Sequence, residues 1–327
     1  MINTKKILIA LTAFILMIGA AVHASDLIIE SNTQTFNEGD SKIKFKGDVK
    51  VSVDDLRVEG QTADVDVKGE KLDTATFYDK PYAYEVKKNK KREVKANILK
   101  LSLITKVVRA EGDTQSIVFD GKTPIVVINA DVQEYDTKTG TMTATGAVTI
   151  LYKELETFSN KAIINTTKNG DIKDLELIGN ARVKEKENES FADKFYYNAA
   201  TKVITATGNT TSNAVMDNGD KLILKSSRQE YTQDRNVFNA SGNVKVWYQD
   251  YFAQGPKIAV YPDKATNKAN EIYFIGRSSI TQGMRTIYAD KIKMILKPKD
   301  FHAEGNTRTV IKNIGGGSDD EDSALSL

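Results

Sequence analysis

The stretch that decides the fold is "FNASGNVKVWYQDYFAQGPKIAVYP", which runs from Phe238 to Pro262. A Gly-Asn pair at positions 242 and 243 interrupts it, and alternating apolar and polar residues follow that pair. Similar stretches occur at residues 175–198 and 272–296. Alternation with a period of two, rich in Val and Tyr, is typical of half-buried β-strands. The sequence therefore predicts a repeated pair of antiparallel strands.

The glycine of this pair recurs along the chain, and successive marker positions are 29 to 34 residues apart. A glycine inside a strand pattern marks a bulge, a bend or a close approach of backbones. We therefore expect every unit to bend at the same height; the alternative is that each glycine only ends a turn. The markers are Gly47, Asp79 in place of glycine, Gly112, Gly146, Gly179, Gly208, Gly242, Gly276 and Gly305.

A second motif lies between the markers. The segments "ADVQEY" (130–135), "ADKFYY" (192–197) and "SSRQEY" (226–231) each begin 16 residues before the next marker, and Ala63 and Ala289 keep the same distance. The unit is thus two strands of about 16 residues with turns between them. Because each unit contacts mainly its neighbours, the predicted fold is all-β, an elongated antiparallel stack built from repeats.

The N-terminus has the features of a secretory signal peptide. Lys5 and Lys6 precede an apolar run from Ile7 to Val22, and a small-residue exit follows, with cleavage expected after Ala24. The run of 16 residues is shorter than the roughly 20 of a membrane-spanning helix, although an uncleaved inner-membrane anchor is the alternative. The mature protein is expected outside the cytoplasm.

The rest of the chain divides into two parts. Residues 25–314 form the repeat domain, an array also compatible with two stacked halves that meet near residue 140. Residues 315–327 are small and acidic and are expected to form a flexible tail.

The composition argues against several classes of function. The chain has 46 basic and 44 acidic residues, which is not the basic excess of a protein that neutralises nucleic-acid phosphates. It has no cysteine and hence neither disulfides nor a thiolate metal site. His302 stands alone in the mature chain, and no P-loop, nucleophile elbow or metalloprotease motif occurs. We therefore expect no catalytic residues, no metal and no cofactor.

The motif "A-x-G-N-V-x-V" followed by "A-D-x-x-x-Y" resembles the repeat of the OstA-like family of lipopolysaccharide-transport proteins. Its best copies are residues 240–246, 177–183 and 144–150, and the resemblance covers residues 26–313. It implies a β-jellyroll, in which two facing sheets fold like an open V and the interior holds the acyl chains of lipopolysaccharide.

The resemblance also implies partners. They are lipopolysaccharide, the homologous β-jellyroll domains of the inner- and outer-membrane transport components, and further copies of the chain joined end to end into a bridge between the membranes. Pairing of unpaired edge strands would join them. The segments at the two ends of the array, residues 27–36 and 308–313, are the candidate edges.

Apolar residues on the predicted inner face are the candidates for a lipid-binding trough, although plain core packing would give each the same pattern. They are Val49, Val51, Val148, Ile150, Val183, Val244, Val246, Ile280, Ile292 and Met294.

Two other functions remain open. A structural or adhesive secreted β-repeat protein would share the repeat but have a closed interior. A polysaccharide-cleaving enzyme is less favoured, because it needs carboxylates and aromatic residues grouped on one face. The basic run from Lys87 to Lys95 fits either a solvated hairpin tip or a contact with lipid phosphates or an anionic membrane.

Overall fold

The computed structural model describes residues 27–36, 41–53, 56–69, 71–87, 90–136, 138–152, 154–167, 172–216, 219–267, 269–296 and 300–312. The predicted signal peptide (1–24) and acidic tail (315–327) lie outside these residues. All regular structure in the described ranges is β-strand, and every pairing is antiparallel. The prediction of an all-β antiparallel fold is confirmed.

The described residues form 22 strands. Their bounds are β1 Ile28–Glu30, β2 Thr33–Phe36, β3 Lys42–Val53, β4 Leu56–Lys68, β5 Lys71–Tyr78, β6 Tyr82–Lys87, β7 Lys90–Lys95, β8 Ile98–Ser102, β9 Val107–Asp120, β10 Thr123–Asp136, β11 Thr141–Tyr152, β12 Leu155–Thr166, β13 Ile172–Glu185, β14 Asn188–Asn198, β15 Val203–Val215, β16 Lys221–Thr232, β17 Val237–Tyr248, β18 Tyr251–Pro262, β19 Ala269–Gln282, β20 Arg285–Ile295, β21 Asp300–Glu304 and β22 Arg308–Ile311.

These strands form one uninterrupted ladder. From β9 to β20 each strand pairs with the next one in the chain. Four pairs of short strands each act as a single bent strand, because both members pair with the same neighbour. Strands β1 and β2 both pair with β3, and β5 and β6 both pair with β4. Likewise, β7 and β8 both pair with β9, and β21 and β22 both pair with β20.

The marker glycines form β-bulges, as predicted. In β11, Gly146 and Ala147 both have positive φ angles, of 82° and 42°. The register with β12 shifts between Thr145 and Val148, and the register with β10 shifts between Thr145 and Thr149. Two residues therefore oppose one residue on each neighbouring strand, which bends the sheet. The marker at Asp79 is confirmed as well, since Asp79 and Lys80 have φ angles of 65° and 60°.

The second motif supplies the residue that covers the marker glycine in the units that contain it. Asp131 of "ADVQEY" lies over Gly146, where an added Cβ would be 2.0 Å from the carboxylate oxygen Oδ2. Asp193 of "ADKFYY" covers Gly208 in the same way and accepts a hydrogen bond from Asn209 at 3.3 Å. The constant 16-residue distance between the two motifs is thus the hairpin length that brings them together on neighbouring strands.

The bulges fold the sheet onto itself. Ser212 pairs with Leu224 in the ladder between β15 and β16. Yet the Ser212 hydroxyl donates a 2.6 Å hydrogen bond to the side chain of Gln229, which lies beyond the bend in β16. An unbent strand rises about 3.3 Å per residue, so this contact requires the two halves of the sheet to face each other. The first arm is the half that contains residues 42–46 of β3 and the residues aligned with them from strand to strand. The second arm is the half that contains residues 49–53 of β3 and the residues aligned with those.

Among the described residues, the interior between the arms contains three apolar clusters. The N-terminal cluster includes Val49 and Phe77, the middle cluster Val148 and Leu177, and the C-terminal cluster Val244 and Phe274. The middle cluster extends across residue 140, because it contains both Tyr135 and Met142; a division into two halves near that point stays a prediction.

Candidate functional site

All ten predicted trough residues face the interior. Val49 and Val51 belong to the N-terminal cluster, and Val148 belongs to the middle cluster, against which Ile150 and Val183 pack partly buried. The other five, Val244, Val246, Ile280, Ile292 and Met294, belong to the C-terminal cluster. Ile292 and Met294 lie on the first arm and the other eight lie on the second arm. The predicted set therefore includes residues from both sides of the interior.

Five of these residues lie in one continuous row across the sheet. Each member of this inner row is the cross-strand partner of the next, from one edge of the ladder to the other. The row runs Ile29, Val51, Val58, Ala83, Val94, Ser116, Ile128, Ile150, Thr157, Val183, Ser190, Ser212, Leu224, Val246, Ala253, Ile280, Ile287 and Thr309.

The interior is filled by the protein's own side chains, a point that the sequence leaves open. Val49 and Ile128 have no exposed surface, and Val246 is 7% exposed. A cavity of about 70 Å³ separates the N-terminal and middle clusters. A smaller cavity of about 30 Å³ lies within the C-terminal cluster beside Val246 and Met294. An acyl chain therefore enters only if the arms move apart.

Two polar belts divide the apolar interior. The first polar belt comprises Glu85, Arg92, Ser116 and Gln133, and it lies between the N-terminal and middle clusters. The Ser116 hydroxyl donates a 2.5 Å hydrogen bond to Gln133 across the two arms. The amide of Gln133 in turn donates to the backbone carbonyl of Ile128 at 3.2 Å. This belt therefore joins the arms at one height of the ladder.

The first polar belt contains a buried ion pair. Glu85 and Arg92 are cross-strand partners in the β6–β7 hairpin and are 2% and 4% exposed. Their Oε2 and Nη1 atoms are 3.6 Å apart, which is an ion pair but too long for a good hydrogen bond. Burial lowers the pKa of Arg92 to about 10, against the opposing effect of the Glu85 charge.

The second polar belt comprises Ser190, Thr210, Ser212, Ser226 and Gln229, and it lies between the middle and C-terminal clusters. Its residues are neutral. The Ser212 hydroxyl lies 3.0 Å from that of Ser190 and donates to Gln229 across the arms. The Thr210 hydroxyl lies 2.8 Å from the Ser226 hydroxyl. Thr157 and Ser159 add two buried hydroxyls inside the middle cluster.

The basic run is only partly a solvated hairpin. Lys91 lies over the Tyr84 ring at 5.1 Å, and a hydrogen bond from its ammonium group to Glu93 raises its pKa. Arg92, next to it, is buried between the arms, so interpreting the whole run as a solvated tip is wrong at this residue. The sequence contained a signal for this: Arg92 alternates with Val94, which also faces inward.

The candidate edge strands lie where the sequence predicted them. Strands β1 and β2 pair with β3, and β22 pairs with β20; Asn313 lies outside the described residues. Within the described ranges there is no group of three or more side chains suited to hold a metal ion. Nor does that part of the chain contain a helix long and apolar enough to cross a membrane.

Residues 127–264 match the family described as "LptA/(LptD N-terminal domain) LPS transport protein". Over this segment the chain is similar to the OstA-like family. The resemblance carried by the repeat is therefore confirmed, and the matched segment runs from β10 to just beyond β18. It contains the second polar belt, whereas Glu85, Arg92 and Ser116 of the first polar belt precede it.

Among solved structures, the chain is similar to LptH from Pseudomonas aeruginosa, described as the LptA-homologous periplasmic component of the lipopolysaccharide transport device. The two are 11% identical, with a TM-score of 0.35, and the alignment covers 39% of this chain and 95% of LptH. None of the curated protein sequences matches this chain.

Proposed function

We propose that this protein is a periplasmic lipopolysaccharide-transport protein that shields acyl chains between its two arms and spans part of the distance between the inner and outer membranes. The observation that carries the proposal is the inner row, which continues across the second arm from β1 to β22 and is apolar at most positions. The match of residues 127–264 to a lipopolysaccharide-transport family supports the same conclusion.

The physical advantage of such a wall is large. Burying one methylene group is worth about 0.8 kcal/mol, so exposing an acyl chain of about a dozen carbons to water costs roughly 10 kcal/mol. An apolar surface that continues from strand to strand removes most of that barrier. Because neighbouring units present similar side chains, successive positions along the wall have similar free energies, and movement between them needs no catalytic site on this chain.

The ends of the ladder provide the means to extend the wall. The backbone groups of β1, β2 and β22 that face away from their partner strands can pair with a strand of another domain. We propose that the homologous domains of the inner- and outer-membrane transport components, and further copies of this chain, join there. Each such junction would continue the inner row into the next domain.

The filled interior favours a second candidate function, that of a structural or adhesive repeat protein whose arms stay closed. The two candidates differ in one property that can be measured, which is whether the arms separate to admit lipid. Val246 is buried in the C-terminal cluster, whereas its neighbour Lys245 is exposed on the outer face of the same strand. This adjacent pair therefore offers a probe and its control.

The test is a photo-crosslinking amino acid placed at Val246 or at Lys245 in the native host. We expect lipopolysaccharide adducts at Val246 and none at Lys245, because only the inner wall contacts acyl chains. Val148 and Ile150 provide two further inner positions within the middle cluster. Absence of adducts at all three inner positions, with the variants folded and exported, would refute transport and support the structural candidate.

A further inference from the structure

Arg92 has a physical property that shielding of acyl chains does not explain. A guanidinium group has five N–H donors and remains charged at physiological pH. None of its three nitrogen atoms forms a hydrogen bond with the described part of the chain, although Arg92 is only 4% exposed. Burying a charge under these conditions is costly, and such a group is a candidate functional residue.

The space beside Arg92 can hold a ligand. Arg92, Glu85, Ser116, Gln133 and Tyr135 line the cavity of about 70 Å³. A single water needs about 10–15 Å³ on this measure, so the cavity has room for several waters or for one group of similar size, such as a phosphate. A planar guanidinium matches the oxygens of a phosphate with two parallel hydrogen bonds.

Of the three carboxylates that line the cavity, two are paired with cations other than Arg92. Glu93 and Glu134 lie at its wall, but their carboxylates are paired with Lys91 at 2.6 Å and with Arg109 at 2.9 Å. Glu85, the third carboxylate, balances the Arg92 charge. Because its separation from Arg92 is 3.6 Å, it leaves the guanidinium donors available to a second acceptor.

The walls of the cavity indicate what kind of molecule carries the anion. Leu56 and Ala83 of the N-terminal cluster line one side, and Val118 and Met142 of the middle cluster line the other. A free phosphate ion is not stabilised by contact with these apolar surfaces, whereas the acyl chains of an amphiphile are. The second polar belt has neither an arginine nor an ion pair among its residues, so this property belongs to one height of the ladder.

We propose that the first polar belt is a binding site for the phosphate head group of an amphiphile, with Arg92 as its anchor and acyl chains resting on the clusters to either side. This site rests on the proposed function, which it deepens by giving the wall one position that recognises the head group. Glu85, Arg92 and Ser116 precede the segment that matches the family, and Gln133 lies within it.

The experiment measures the affinity of the purified full chain for fluorescent deep-rough lipopolysaccharide that carries its lipid A phosphates and for the same preparation after phosphatase treatment. We expect the native chain to bind the phosphorylated form at least about 10-fold more tightly, the ratio that corresponds to one charge-assisted hydrogen bond. The double variant Glu85→Gln/Arg92→Met should bind both forms equally. It leaves no unbalanced charge, and circular dichroism checks its folding.

The matched control is the double variant Glu189→Gln/Arg182→Met. It removes an Arg–Glu ion pair from the outer face, where Arg182 lies over the Phe158 ring, and the native preference should persist. Equal binding of both lipids by the native chain, or an unchanged preference in Glu85→Gln/Arg92→Met, overturns the site but not the transport function. A further outcome is that excess inorganic phosphate removes the preference for phosphorylated lipopolysaccharide without weakening the binding of lipid. That result would identify free phosphate as the ligand and would also overturn the head-group site. Failure to bind either lipid overturns the proposed function itself.

Discussion

The two polar belts occupy equivalent places in the repeat but are built from different chemistry. Ser116 and Ser212 each lie four residues after a bulge glycine, and Gln133 and Gln229 each lie 17 residues further on. Both serine–glutamine pairs join the two arms. The second polar belt satisfies its hydroxyls among neutral side chains, whereas the first adds a buried ion pair and a cavity. The repeat thus determines at which heights polar side chains lie between the arms, and the individual side chains determine the chemistry of each polar belt.

The first belt should be the more sensitive of the two to a single substitution. Arg92→Met removes one member of a buried ion pair and leaves the Glu85 charge in an apolar interior, which costs about 3–5 kcal/mol. The double variant Glu85→Gln/Arg92→Met should be close to neutral, because no uncompensated charge remains. Urea unfolding at neutral pH measures both free energies of unfolding. Equal losses in the single and double variants would show that the pair does not act as a unit.

The second belt should lose less. Gln229→Leu deprives Ser212 of its 2.6 Å acceptor across the arms, although Ser212 keeps its contact with Ser190. We expect a loss of about 1–3 kcal/mol, the usual cost when one partner of a buried hydrogen bond is removed.

The companion variant Ser212→Ala/Gln229→Leu removes both polar partners and should recover most of that loss in the same urea unfolding assay. If Gln229→Leu unfolds at the same urea concentration as the native chain, the bridge does not hold the arms together.

Much of this organisation follows from the sequence. The marker spacing predicted the bend and the strand pairing, and it identified Asp79 as the residue that takes the place of a glycine. It could do so because a bulge needs residues that tolerate positive φ at fixed intervals. The 16-residue distance to Asp131 and Asp193 was visible as a pattern. Its cause, the cover that these side chains form over the bulge glycines, appears only when neighbouring strands are placed side by side.

The contents of the interior could not be predicted in the same way. An inward-facing valine gives the same alternation in a filled core and in an open trough. Val49 and Val246 therefore predicted which face of the strand points inward, but not whether the interior beside them is filled. Arg92 was missed as an interior residue because five lysines and one other charged residue surround it between positions 87 and 95. Only the register that places Glu85 opposite Arg92 reveals the pair.

The outer faces of the two belts differ as well, and this provides the smallest predicted effect. Outside the first polar belt, Glu111 accepts hydrogen bonds from Lys100 at 2.9 Å and from Arg109 at 2.6 Å. These two bonds lower the pKa of Glu111 below its ordinary value of 4.5. The equivalent position before the bulge outside the second polar belt is Thr207, which does not ionise.

A carboxylate whose pKa is lowered by folding stabilises the native state above its ordinary pKa, and that contribution disappears as the pH falls through the lowered value. Glu111→Gln should therefore reduce the free energy of unfolding by less than about 1 kcal/mol at pH 7, since partly exposed pairs contribute little. The difference from the native chain should vanish in acid below the folded pKa and shrink in high salt. Thr207→Val, the matched change at the other belt, should show no such dependence on pH. Urea unfolding of both variants across this pH range makes the comparison, and a Glu111→Gln effect that is constant down to the lowest pH would assign it to packing rather than to charge.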